Sequence, residues 1–169
     1  MAFTASGVFR EWFRSTQGQG QTAVALPATY GGLGADTVKA ALMNNTGTPD
    51  KDAALTATGY NTGQWTAATN EVTSGAEWVA TGRALASKTL TTPSTTVFMF
   101  DAADLTGTTT ITISGVYGCL VYDDTITAST GGVADQGVCF NYFGGTTGVT
   151  SGTYSVIWSA NGVYRVTCT

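Results

Sequence analysis

Between residues 6 and 17 the apolar side chains Val8, Phe9, Trp12 and Phe13 recur at helical spacing, with Arg10, Glu11 and Arg14 turned the other way. That pattern predicts a short amphipathic helix. Residues 18–34 keep no period and carry Gly, Gln and Pro27, so a loop or extended arm is expected. The first strand is predicted over residues 37–44 (TVKAALMN), followed by the turn-forming stretch NTGTPDKD. From residue 53 to residue 82, Gly and Asn are spaced between single aromatics, which reads as long loops with a short strand or two. Residues 83–91 look extended, ending before Pro93.

The C-terminal half alternates more regularly. The runs TTVFMFD, TTTITIS, VYGCLVYDD, GVCFNYFG and TYSVIWS, then VYRVTCT, are separated by turn residues, the spacing of an antiparallel sandwich or barrel. Ala160-Asn161-Gly162 joins the last two, and Asn-Gly predicts a type I′ hairpin between them. In residues 109–114, Ile111 and Ile113 share one face opposite threonines; in residues 163–168, Tyr164, Val166 and Cys168 oppose Arg165 and Thr167. Those strands have one wet face. Residues 117–122 and 138–143 are apolar or aromatic on both faces and need cover on both sides, from the second sheet and from the N-terminal helix, a loop or another subunit.

The expected architecture is all-β: an antiparallel β-sandwich, jelly-roll-like or immunoglobulin-like, over residues 37–169, with a short N-terminal helix and arm over residues 1–36. A chain of 169 residues suits one domain. Composition sharpens this picture. Only 11% of residues are charged, so the exterior has to be built from neutral polar groups. Threonine, about a fifth of the chain, supplies them, and 22 glycines supply turns. A net charge of -4 gives no electrostatic reason to bind nucleic acid. No apolar run approaches a membrane span and no secretory signal opens the chain, so synthesis in a cytoplasm is expected. Cys119, Cys139 and Cys168 are then expected to be buried reduced thiols.

Candidate chemistry is sparse. Without any histidine, Ser-His-Asp and Cys-His catalysis and histidine zinc ligands are excluded. The run Gly18-Gln19-Gly20-Gln21-Thr22-Ala23 has the letters of a dinucleotide fingerprint but follows a helix, and reads as a joint. The carboxylate pairs Asp50/Asp52, Asp101/Asp104 and Asp123/Asp124 lie at strand ends, where Asp forms turns through its own side chain. No enzyme activity, cofactor or metal is expected. Trp158 shares a face with Tyr154 and Val156, the mark of core or interface. Trp65 and Trp78, in Gly-rich loops, are the candidate exposed aromatics on which a sugar could stack.

The succession VKAALMNN-TGTPDKD, GYNTGQW, NEVTS, GRALASKTL, VFMFDAADLT, VYGCLVYDD, ADQGVCFNYFGG and SVIWSANGVYRV resembles a family of small virion proteins of tailed bacteriophages, of minor capsid, head-decoration or tail-associated type. The resemblance runs from about Val38 to Val166. It implies a non-enzymatic β-sandwich on the capsid surface, bound to the major capsid protein and to other copies of itself, a trimer among the expected arrangements, with neither nucleic acid nor membrane as partner. Phe9, Trp12 and Phe13 are the candidate interface residues for that docking. The alternative is a tail- or fibre-associated adhesion module that binds glycans through Trp65 or Trp78.

Overall fold

The structure, a computed structural model, describes residues 3–16, 31–75, 77–127 and 133–168. Eight strands and two short helices follow one another as β1 (Gly7–Val8), α1 (Arg10–Thr16), β2 (Val38–Met43), α2 (Ala67–Asn70), β3 (Arg83–Ala84), β4 (Thr89–Ser94), β5 (Val97–Asp101), β6 (Ile111–Asp123), β7 (Gln136–Gly152) and β8 (Tyr164–Thr167). They form two antiparallel sheets, one of five strands in the order β1-β7-β6-β2-β3 and one of three in the order β4-β5-β8. The fold is therefore all-β and sandwich-like.

Burial follows the alternation. Ile111 and Ile113 are buried while Thr112 and Ser114 are exposed. From Gly118 to Asp123 every residue of β6 is buried, as its two-sided apolar sequence requires. TTTITIS and VYGCLVYDD are one strand, because Gly115 takes a positive φ of 73° and bulges the backbone where a turn is expected. Likewise β7 runs on through the glycines behind GVCFNYFG to reach Gly152. Pro93 lies within β4, the open edge of the small sheet, where its missing N–H costs no ladder bond.

The N-terminal segment departs from expectation. The helix begins at Arg10 rather than near Ser6, because Gly7 and Val8 pair with Phe140 and Cys139 as an edge strand. Phe9 N–H donates to the Val138 carbonyl (3.1 Å) and Arg10 N–H to that of Lys51 (2.9 Å). Phe9 and Trp12 are fully buried in the chain's own core and Phe13 packs against it, so the candidate interface residues face inward. The physical cause is the second apolar face of β6 and β7. Phe3, Phe9 and Trp65 cover it, their rings 5.8, 5.4 and 5.7 Å from that of Phe140. Tyr60 stacks on Tyr122 at 4.7 Å beside them. Glycine makes the close approach possible: a Cβ on Gly118 would lie 2.7 Å from the Phe3 ring, and one on Gly137 2.6 Å from that of Phe9. Residues 3–16 thus share one core with the sandwich, and position 36/37 divides no packing unit. The rest of the predicted arm, residues 17–30 with the Gly18–Ala23 run, lies outside the described residues.

The Asn161-Gly162 signal is met only in part. Gly162 N–H donates to the Ser159 carbonyl (2.8 Å) and closes a turn, but Asn161 lacks the positive φ of a type I′ turn. The flanking runs do not pair with each other. β8 pairs with β5, placing Tyr164 opposite Phe100 with ring centroids 5.7 Å apart. Val156 instead exchanges both backbone hydrogen bonds with Leu105 (3.0 and 3.1 Å). The long-range ladder buries aromatic area that a local hairpin would leave wet.

Two consequences are measurable by urea denaturation. Phe9→Ala should lose about 3–5 kcal/mol. Deleting residues 1–16 should abolish the cooperative transition, whereas an independent arm would leave it unchanged.

Candidate functional site

None of the five aromatics singled out by sequence forms a surface site. Trp65 and Trp78 are each 1% exposed. The Gly-rich loops around them fold back over the sheets. Trp65 joins the plug on Phe140; Trp78 donates its indole N–H to the Tyr154 carbonyl (3.2 Å), meets the Tyr154 ring edge-on and carries the Arg83 guanidinium 5.1 Å above its ring. Trp158 is half-buried, donating its indole N–H to the Ala103 carbonyl (3.2 Å).

What the fold does present is a two-stranded ribbon. Of β6, only residues 118–123 pair with β2, and of β7, only residues 139–140 pair with β1. Beyond these, residues 111–116 of β6 and 147–152 of β7 pair with each other alone. The inner face of this ribbon holds Ile111, Ile113 and Val116 in the core, and Thr147 Oγ1 meets the Tyr154 hydroxyl at 2.6 Å. The outer face exposes Thr112, Ser114, Thr146 and Thr150. No charged residue occurs from Gln136 to Tyr164. Strand edges are usually guarded by lysine or proline; here the register shifts around Gly115 and before Gly152 break the ladder instead. The alternation over residues 109–114 marks Thr112 as the wet side of a strand, but it carries no signal for Thr146 and Thr150 or for a surface of this extent.

A second arrangement is internal. The Tyr60 hydroxyl donates to Glu71 Oε2 (2.6 Å) and accepts from Thr81 N–H (3.0 Å), and the Tyr122 hydroxyl donates to the Thr81 carbonyl (2.6 Å). Burial raises the Glu71 carboxyl and both tyrosine hydroxyls above their ordinary values. Thr81 has a φ of 75°, a conformation costly for a β-branched residue. The two hydroxyls and the carboxylate hold it there, so the network fastens the loop ahead of β3 onto β6. Tyr60→Phe should cost about 1–3 kcal/mol by leaving Glu71 short of a donor. Thr81→Gly should stabilise by up to about 1 kcal/mol by relieving the backbone. Opposite signs in denaturant titrations would establish that the strain is held by the hydroxyls.

The remaining candidates are turn formers and thiols. Asp50 Oδ1 accepts from Asp52 N–H (2.8 Å), Asp101 Oδ1 from Ala102 N–H (2.9 Å) and Asp123 Oδ1 from Thr125 N–H (3.0 Å), all local, whereas Asp104 forms no turn of its own and its Oδ1 accepts from the distant Trp158 N–H (2.9 Å). Among the described residues no group of three or more cysteines and carboxylates is placed to hold a metal ion. Cys119 and Cys139 are buried free thiols; burial pushes Cys119 up to about 12 and raises Cys139 well above its ordinary value. Cys168 is exposed, contrary to expectation, because it follows the last paired residue of β8. A thiol-reactive dye near neutral pH should therefore label one cysteine in the native protein, at Cys168, and three only after unfolding.

Comparisons of the chain with protein-family models, with curated proteins and with solved structures give no significant match in any of the three.

Proposed function

We propose that the chain is a structural protein of a tailed-bacteriophage particle, a minor capsid or decoration protein that binds the capsid exterior and reinforces contacts between capsomers. The observation that carries this reading is the uncharged outer face of the β6–β7 ribbon, with Thr112, Ser114, Thr146 and Thr150 exposed on two strands whose outer edges have no strand beside them among the described residues. Hydroxyl groups lose little on leaving water if they regain hydrogen bonds, whereas a buried unpaired charge costs several kcal/mol. A surface of this kind can be covered by the major capsid protein or by another copy of the chain at low desolvation cost. About 800 Å² per partner suffices for a specific contact, and a particle repeats it at every equivalent position. The sequence resemblance points the same way.

The glycan-binding alternative depended on Trp65 and Trp78, and both are enclosed. A position at the tail remains as an outcome of the test.

Cryo-electron microscopy of the particle formed with this protein, with copy number from quantitative mass spectrometry, should show hundreds of symmetry-related copies on the head. A few copies at the tail would overturn decoration, and absence from purified particles would overturn the structural role itself. Thr146→Glu/Thr150→Glu should fold like the parent, since exposed substitutions shift stability by about 0.5 kcal/mol or less, yet be lost from particles. Normal incorporation would remove the ribbon from the interface.

A further inference from the structure

Two buried carboxylates meet where the chain enters the large sheet. Asp36, 6% exposed, follows a tight turn. Its carboxylate accepts the Gly31 N–H on both oxygens (3.0 and 2.9 Å) and the Gly32 N–H (3.1 Å). The Ala35 and Asp36 N–H groups donate back to the Gly32 carbonyl, both at 2.9 Å. Asp123, at the end of β6, is 0% exposed and stands opposite Val38 in the register. Thr125 N–H satisfies its Oδ1, while Oδ2 has no donor. The register that sets Val38 against Asp123, with Thr37 N–H donating to Thr125 Oγ1 and Asp124 N–H to the Thr37 carbonyl (both 2.8 Å), brings Asp36 diagonally beside it.

The surrounding groups offer no compensating cation. Lys39 of β2 is engaged by Asp124 at 2.8 Å. Asp135, just before β7, adds a further carboxyl, itself raised by burial and by Asp124. The Tyr122 hydroxyl is committed to the Thr81 carbonyl, and Gln136, opposite Asp123 on β7, is uncharged. Two neighbouring buried carboxylates in such a setting cannot both ionise at low cost.

We propose that Asp36 and Asp123 form a proton-operated clasp: protonated Asp123 donates from Oδ2 to the Asp36 carboxylate and pins the turn over residues 31–36 onto the end of β6, and loss of that proton opens the turn. Burial is the main cause that raises Asp123, to about 7, opposed by the backbone N–H groups of Thr125 and Ile126 and reinforced by Asp36. The folded value lies above the ordinary 3.8, so the closed form holds a proton that the opened form releases. The clasp is strongest in mild acid and weakens as pH rises from about 4 to about 7, with no further loss above that.

Hydrogen exchange on the full chain reads this directly. After correction for intrinsic rates, protection of the Gly31, Gly32, Ala35 and Asp36 amides should fall about tenfold or more between about pH 5.5 and about pH 8. In Asp123→Asn the amide donates permanently to Asp36, so protection should change by less than about twofold over the same range and exceed the parent's at the upper end. Constant protection in the parent, or an equal loss in the variant, would overturn the clasp. Should Asp123→Asn fail to fold, the carboxyl carbon resonance of Asp123 in the unsubstituted protein decides: a midpoint near about 7 supports the proposal, and one below about 5 refutes it.

Discussion

Both faces of the β6–β7 pair have to be taken out of water, and the rest of the chain is arranged around that demand. On the face of Leu120, Tyr122 and Phe140 the cover comes from Phe3, Phe9, Tyr60 and Trp65, drawn from the N-terminal segment and the long loop ahead of β3. On the other face, Cys139 and Asn141 line one groove with Val163 and Tyr164. A buried aromatic removes about 150–250 Å² from water, worth about 4–6 kcal/mol at about 25 cal/mol per Å² before ordering entropy is subtracted. Segments with little secondary structure of their own are therefore held as firmly as the strands, and a two-residue edge strand suffices to place Phe9.

This division explains what could be read from the sequence. Period-two alternation states how many faces of a strand are buried, so the wet face of residues 109–114 was legible, and so in large part was the two-sided burial of residues 117–122 and 138–143, of which Tyr117 and residues 141–143 stay half-buried. It does not state what does the burying. The stripe of Phe9, Trp12 and Phe13 has the same spacing whether it docks on its own sheet or on a neighbour. Trp65 and Trp78 look exposed beside glycines and asparagines, yet their indoles close the core from the loop side. The Asn161-Gly162 signal is local, and the ladder of β8 on β5 outweighs it because it brings Tyr164 onto Phe100 and Phe98. The juxtaposition of Asp36 with Asp123 had no signal at all in the sequence. It arises only from the register that sets Val38 against Asp123.

Placing the aromatics inside also determines the exterior. With 11 acidic and seven basic residues in the whole chain, and none charged from Gln136 to Tyr164, the β6–β7 ribbon meets water through hydroxyls and backbone. Its regular stretches are short because bulges interrupt them, which keeps copies from pairing edge to edge without limit. A partner that recognises this surface has shape and neutral hydrogen bonds to work with, not charge steering, so its association should depend little on ionic strength.

The same scarcity of charge gives each buried acid unusual weight. A chain without histidine has no side chain whose ordinary value falls between about pH 5 and about pH 8. Asp123 is brought into that window by burial beside a second carboxylate. The Asp36 carboxylate accepts three backbone contacts from Gly31 and Gly32, which tie it to the turn over residues 31–36. In the proposed clasp Asp36 holds the incoming chain, Asp123 holds the sheet, and one proton joins them. Hydrophobic residues of similar shape could fill the position, but the joint would then be indifferent to pH.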